Sequence, residues 1–403
     1  MERRTIAVFF GGRSVEHDVS ILTGLQFLDA MDPDRYDGLP VYIDPKGQWW
    51  TGQDLRARKA YPLTPKGDIR PVSLGVGTPV GGRPVLLGTR KGLLGEKVEQ
   101  IGFDLAMPAL HGTHGEDGAI QGLFDFHGLP YAGCRPLGAA AAMDKHFTKA
   151  LVRDAGVTVL PHALVNRPAK GRYLTADTVL PQVDAVFGAL AFPLLVKPRR
   201  LGSSVGVKKV ADLDQLLAAL LAVFRLDDAA LVEPFVPNLM EFNVAVRRAD
   251  GQAVASAIER PIRAADLLDF QGKYLAQGDR GPKREDVPSA GMAGTNREID
   301  PADLTEAQRR QIRTDAIAAF DRLDLAGSVR VDFLCDGETG ELWFNEVNTI
   351  PGSFAFYLWA AAEPPIGFTA LATALIEEGF ALSAARQRET GAEAGGARIF
   401  GRG

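Results

Sequence analysis

Near the C-terminus, Arg330-Val331-Asp332-Phe333 is answered by Phe344-Asn345-Glu346-Val347-Asn348, two apolar-flanked segments carrying a guanidinium, two carboxylates and an amide. Side chains alternate along a strand, so Arg330 and Asp332 are expected on one face, with Val329, Val331 and Phe333 on the other. The same rule groups Phe344, Glu346 and Asn348. Asp336-Gly337-Glu338-Thr339-Gly340 between them reads as a hairpin turn. Cross-strand neighbours lie roughly 5 Å apart, which lets Asp332, Glu346 and Asn348 hold one hard cation or a pair of them. Oxygen donors alone favour magnesium or manganese over zinc, the chemistry of a metal-nucleotide site. A polar face of an edge hairpin with a structural Asp-Arg pair fits the same pattern.

Other segments carry groups suited to phosphate. Pro193 to Lys197 reads as a strand ending in a lysine, and Leu201-Gly202-Ser203-Ser204-Val205-Gly206 as a small-residue loop whose amides and hydroxyls can wrap anionic oxygens. It lacks the P-loop spacing, and a plain hairpin loop is the competing reading. Lys145 and Lys197 both end apolar segments, where an ammonium meets either phosphate or solvent. Glu233-Pro234-Phe235-Val236 and Glu241 resemble a hinge that offers backbone groups to a flat base and a carboxylate to ribose, or else ordinary strand ends. Asp266 to Glu298 is a long polar stretch holding Gly272-Lys273-Tyr274, either a lid or a surface insertion. Glu16 and His17 follow Gly11-Gly12 at a helix start, where loops beyond strand ends face binding crevices; Ser14 there could equally be a cap.

These groups need a scaffold. Ile6 to Phe10 followed by a helical pattern through Val19, Leu22, Leu25 and Leu28 is a strand-turn-helix unit, and Phe103 to Leu110 followed by a helix over 119–126 is another. Residues 42–105, rich in Gly and Pro, predict hairpins elaborating this first domain. A helix running from the alanine stretch before Met143 to Ala155 opens a second domain, with strands near 163–165 and 193–197 and helices over 177–189 and 212–224. Strands at 231–233 and 242–247 and a helix over 305–323 complete the pattern. Residues beyond about 386 predict a frayed tail.

Length and composition agree. The 403 residues suggest two to three domains, and 46% hydrophobic with 24% charged residues describe a globular α/β chain. A net charge of -5 argues against a nucleic-acid or membrane surface, and Cys134 and Cys335 make neither a disulfide framework nor a CxxC pair. No apolar run reaches the roughly 18 residues of a span, so a cytoplasmic protein is expected.

The order of four motifs is more specific than any one of them. With Gly-Gly-Arg-Ser-Val-Glu-His-Asp-Val-Ser at 11–20, His-Gly-Thr-His-Gly-Glu-Asp-Gly at 111–118, Lys-Pro-Arg-Arg-Leu-Gly-Ser-Ser-Val-Gly at 197–206 and Asn-Glu-Val-Asn-Thr-Ile-Pro-Gly at 345–352, the chain closely resembles the D-alanine–D-alanine ligases of the ATP-grasp superfamily from about residue 4 to 380.

The resemblance implies a three-domain ATP-grasp fold, α/β and α+β, with an N-terminal doubly wound parallel-sheet domain over 1–140. A central subdomain over 141–230, a C-terminal one over 231–385 with a lid at 266–298, and a flexible tail at 386–403 would follow. It implies ATP held by Lys145, Lys197, Ser204 and Lys273 at the phosphates, Glu233, Phe235 and Val236 at the adenine, and Glu241 at the ribose. Two magnesium (or manganese) ions would sit on Asp332, Glu346 and Asn348. Glu16, paired with Ser203 and Tyr274, would bind the ammonium of a first D-alanine, with His111 beside the substrates. Arg330 and the Gly352 amide would stabilise an oxyanion. The implied product is D-alanyl-D-alanine for peptidoglycan, and with it cell wall and cell shape, made by a homodimer. In one departure, Ser353-Phe354-Ala355-Phe356-Tyr357 follows Gly352 where many such ligases carry a His-Ser pair, so Tyr357 is the candidate for the second substrate's carboxylate. D-serine, D-lactate or a secondary-metabolite amino acid are alternative acceptors, and a nucleotide-binding regulatory protein without catalysis is the reading from another class.

Overall fold

An unbroken apolar run with Gly at its end makes β1 (Arg4–Gly11) a central strand buried on both faces. The computed structural model describes residues 3–75, 83–92, 95–188, 191–262 and 297–389. Helix α1 (His17–Ala30) returns over one face of β1, and β2 (Tyr36–Ile43) pairs parallel with it. Then β3 (Trp49–Thr51), β4 (Arg70–Leu74), β5 (Val85–Gly92) and β6 (Gly95–Gly102) add antiparallel hairpins outward from β2. Strand β7 (Leu105–Pro108) pairs parallel on the other side of β1, giving the order β6-β5-β4-β3-β2-β1-β7. The parallel part is thus three strands, and residues 42–105 account for the antiparallel remainder. Alternation along β1 sends Phe10 toward α1, where Gly24 admits it because a Cβ there would lie 2.5 Å from the Phe10 Cβ. Phe9 points the opposite way onto Phe124 of α2 (Ala119–Phe126), so helices cover both faces.

The second unit opens with α3 (Pro136–Met143) and α4 (Lys145–Asp154), two helices where one continuous helix was expected. Strand β8 (Ala163–Asn166), α5 (Ala176–Phe187), β9 (Leu194–Pro198), β10 (Lys208–Val210), α6 (Leu213–Val223) and β11 (Ala229–Pro234) build an antiparallel sheet of order β10-β9-β11-β8 around an apolar core of Val165, Val183, Val196, Leu220 and Val232. A five-stranded antiparallel sheet follows from β12 (Leu239–Ala249), β13 (Gln252–Pro261), β14 (Arg297–Ile299), β15 (Val329–Asp336) and β16 (Leu342–Asn348), in the order β14-β13-β12-β15-β16. Helix α7 (Glu306–Arg322), with Thr305 closing a capping box on Gln308, packs on it, as does the short α8 (Phe356–Ala360).

The chain divides into two compact units, Met1–Pro136 with Ile366–Gly403, and Leu137–Pro365. Helix α9 (Phe368–Glu389) therefore belongs with the first unit, although the sequence reading ran the C-terminal module on to 385. Its window Phe368–Arg386 is long and apolar enough by composition to cross a membrane, yet Leu371, Ala372, Leu375 and Ile376 are buried and Glu377 pairs with Arg35. Arg386, expected in a frayed tail, lies in this helix with its guanidinium 3.9 Å from the Tyr131 ring centre. Residues 390–403 of that tail lie outside the described residues.

Candidate active site

Asp144 decides where the first lysine stands. Its carboxylate accepts from the Phe147 amide (3.1 Å) and Arg200 Nε (3.1 Å) and forms an ion pair with Arg199, whose Nε lies 2.6 Å away, capping α4 and ending the alanine run one residue earlier. Lys145 is thereby the first residue of α4. Its Nζ donates to the Leu201 carbonyl at 2.7 Å and lies 3.1 Å from Glu346 Oε2. One turn on, the wholly buried Lys149 pairs with Glu233 Oε1, while Glu233 Oε2 takes Lys197 Nζ at 2.8 Å. Lys197 also donates to Asn345 Oδ1 at 3.1 Å.

Burial opposes charge on both members of the inner pair. At Glu233 the ammonium groups of Lys149 and Lys197 outweigh burial and hold the carboxyl down to about 2. At Lys149 burial outweighs the attraction of Glu233 and lowers the ammonium to about 8. Sequence reasoning missed Lys149, whose only local signal is its i+4 spacing from Lys145. Glu233, expected with the following backbone at the adenine, has its carboxylate oxygens paired with Lys149 and Lys197.

The acidic hairpin forms with Arg330 opposite Asn348 and Asp332 opposite Glu346. Arg330 Nε and Nη2 each donate to Asp332 at 2.7 Å, and Asn348 Nδ2 donates to Asp332 Oδ2 at 3.0 Å. Burial works against the Arg330 cation, but Asp332 holds its pKa well above the ordinary value. One expectation fails. The register jumps between Asp332 and Phe333, so that Asn345 is an extra residue and Phe344 pairs with Phe333 on the apolar face instead of joining Glu346 and Asn348. The bulge also brings Asn345 to Lys197.

Register extends this polar face across the sheet. Glu259 lies opposite Asn243, which lies opposite Asp332, which lies opposite Glu346. Glu259 accepts from Asn243 Nδ2 (2.9 Å), Arg297 Nη1 (2.7 Å) and the Tyr357 hydroxyl (3.0 Å), and the Arg297 guanidinium sits 3.8 Å from the Tyr357 ring centre. Tyr357 thus donates to Glu259, and burial raises its phenol. Asn243, Glu259 and Arg297 carried no local signal, since only strand register gathers them.

Two tight turns flank the hairpin and the lysines. Ser203 and Ser204, with φ of 53° and 57°, place the loop after β9 in the left-handed region. After Gly352, Ser353, Phe354 and Ala355 hold φ of 54°, 53° and 52°, each costing roughly 1–3 kcal/mol in a non-glycine residue. Surrounding bonds impose this: the Phe354 amide donates to Pro351, Ser328 Oγ donates to the Phe354 carbonyl, and Trp359 Nε1 donates to Ser328. At the end of β11, Phe235 lies under Lys209 and Val236 packs with Leu160, Leu334 and Trp343, while Glu241 stands on β12 opposite Leu334. Lys273 and Tyr274 lie outside the described residues, as does the expected lid up to 296; its last residues, Arg297 and Glu298, form part of β14.

In the first unit, the loops after the adjacent parallel strands β1 and β7 meet at their carboxyl ends, where crevices form in such sheets. Gly112, at φ 69°, permits the approach, because a Cβ there would lie 2.6 Å from Glu16 Oε2 and 2.5 Å from Ser14 Oγ. Glu16 is buried and its amide donates to Ser14 Oγ. His111 Nε2 is 2.8 Å from Thr23 Oγ1. His17 bridges the Gly12 carbonyl and the Tyr42 hydroxyl.

Comparison with known proteins agrees with this architecture. The family described as D-ala D-ala ligase N-terminus matches residues 5–134, and that described as D-ala D-ala ligase C-terminus matches residues 151–377. The chain belongs to the D-alanine–D-alanine ligase family. It is 34% identical over 399 residues to the D-alanine–D-alanine ligase of Heliobacterium modesticaldum, covering 96% of this chain and 98% of that one. It is 37% identical over 380 residues to that of a Methylobacterium species, covering 92% and 90%. Among solved structures it is similar to the D-alanine-D-alanine ligase from Coxiella burnetii (TM-score 0.74, 26% identity, 97% of each chain) and the VanG D-Ala:D-Ser ligase from Enterococcus faecalis (TM-score 0.72, 26% identity, 93% of this chain and 99% of that one). The family has the ATP-grasp fold and is ATP-dependent.

For a divalent ion the donor set fits. Among the described residues no group of three His, Cys, Asp or Glu side chains gathers. The two carboxylates and one amide that Asp332, Glu346 and Asn348 place on the hairpin, however, match magnesium, which takes one or two protein carboxylates and completes its shell with phosphate oxygens and water.

Proposed function

We propose that this chain joins two D-alanines at the expense of ATP, through an acylphosphate, to supply a peptidoglycan precursor as a cytoplasmic homodimer. The observation that carries the reading is the convergence of Arg330, Asp332, Glu346 and Asn348 on one face of a hairpin whose bulge reaches Lys197.

In this reading a carboxylate oxygen of the first D-alanine attacks the γ-phosphorus of ATP, ADP leaves, and the acylphosphate forms. The amine of the second D-alanine attacks the acyl carbon, the carbon-oxygen bond to phosphate breaks, and the amine loses a proton. Lys145 and Lys197, with Ser204 and Lys273, neutralise the phosphates. Phe235, Val236 and the backbone after Glu233 hold the adenine, and Glu241 the ribose. Glu16, with Ser203 and Tyr274, and His111 serve the first amino acid; Arg330 and the Gly352 amide bind the oxyanion. Asp332, Glu346 and Asn348 would hold two magnesium or manganese ions, which would supply positive charge to the phosphates. Tyr357, through Glu259 and Arg297, shapes the side of the second substrate. In the division read from the sequence, 141–230 carries the lysines and 231–385 the acidic hairpin.

The test is phosphate release and dipeptide formation from ATP and magnesium with D-alanine alone, and with D-alanine plus D-serine or D-lactate. D-alanine alone is expected to yield D-alanyl-D-alanine with one phosphate per dipeptide. Turnover only with another acceptor would overturn the reading.

A further inference from the structure

Lys149 has no part in the reaction above, yet it is as buried as any residue in the molecule. Its side chain is 0% exposed, and it shares Glu233, also 0% exposed, with Lys197. Two ammonium groups therefore hold one carboxylate. Only Lys197, which also touches Asn345 on the hairpin, belongs to the phosphate-binding set.

Consider Lys197 moving its ammonium from Glu233 to a phosphate. If it were the sole partner, the move would leave a carboxylate stripped of both water and counter-ion, a strongly unfavourable state. With Lys149 on the other oxygen, Glu233 keeps a cation throughout. We propose that Lys149 is a positioning residue for nucleotide binding: it retains Glu233 so that Lys197 is free to meet a phosphate. The inference rests on the reading that Lys197 binds nucleotide.

The surroundings support this. Glu233 from β11, Lys197 from β9, Glu346 from β16 and His162 ahead of β8 are the charged and titratable groups around the Lys149 ammonium. Burial lowers its pKa only to about 8, so it is a cation at neutral pH. His162, lowered to about 4 by burial and the nearby lysine, is neutral there and adds no competing charge.

The experiment measures binding of magnesium-ADP to the full chain by calorimetry, with thermal unfolding as the control for folding. Lys149→Met is expected to weaken binding about tenfold or more, because Lys197 then stays on Glu233, and Lys149→Met/Glu233→Gln to return it to within about threefold of wild type. A structural role would lower the unfolding midpoint without that recovery. Affinity of Lys149→Met within about twofold of wild type, or a double variant as weak as the single, would overturn the proposal. Should the single variant not fold, the double variant carries the test: near-native affinity supports the proposal, and a loss of about tenfold overturns it. Lys197→Met separates the two layers. If it leaves affinity unchanged, the phosphate assignment falls and the proposal with it; if it weakens binding while Lys149→Met does not, the proposal alone falls.

Discussion

Replacing Glu346 by Gln removes a charge and almost no volume, so its two consequences can be weighed separately. In the structure Glu346 Oε2 lies 3.1 Å from Lys145 Nζ, with the side chains 23% and 10% exposed. An ion pair that retains solvent contact contributes about 1 kcal/mol, and Lys145 keeps its bond to the Leu201 carbonyl. A loss of that size shifts the unfolding midpoint of a unit this large by about 2–4 °C. The effect on chemistry is larger. In the proposed reaction Glu346 is one of the two carboxylates that would hold ions on the phosphates, and deleting one preorganised electrostatic partner of a transition state costs about 10²–10³ in kcat, or roughly 3–4 kcal/mol. The assay is phosphate release titrated with magnesium, alongside thermal unfolding of the same preparation. A folded variant with turnover within about twofold of wild type at every magnesium concentration would refute the metal assignment. A midpoint lowered by more than about 10 °C would instead make Glu346 chiefly a structural partner of Lys145.

Arg330→Ala is expected to leave magnesium-ADP affinity within about twofold while abolishing ligation; loss of nucleotide affinity in parallel would refute the oxyanion role. Glu233 predicts an acid limb in stability. Its carboxyl falls from 4.5 to about 2 on folding, so its contribution of roughly 3 kcal/mol is complete above pH 4.5 and drains away as pH falls toward 2. Urea unfolding at pH 6 and pH 3 checks this, and Glu233→Gln must flatten the slope between them. Tyr357→Phe removes a buried donor from Glu259, which keeps Arg297 and Asn243, so a loss of about 1 kcal/mol is expected in urea unfolding. No loss would mean the hydroxyl does not bond Glu259.

Much of the fold is legible from periodicity, because whether a segment forms a strand or a helix depends on neighbours a few residues away. The apolar run of β1, the helix over 119–126, the lysine-ended strand β9 and the pairing of Arg330 with Asp332 were all readable in this way. The family resemblance was readable too, since it lies in contiguous motifs. Where the reading slipped, a local rule met a tertiary one. Alternation placed Phe344 beside Glu346, but the apolar layer beneath the sheet accepts Phe344 only if the strand bulges at Asn345. Helical propensity carried the alanine run through Asp144, but the arginines at the end of β9 recruit that carboxylate and restart the helix.

The sequence by itself therefore determined the elements, their faces and the inventory of charged groups. Only the tertiary structure decided which charges share a partner. Lys149 and Glu233 are 84 residues apart in the chain, and Glu259 and Tyr357 98 apart. No spacing rule spans such separations. Strand register and helix packing bring these groups together, and burial then forces each to find a counter-charge or hydrogen-bond partner.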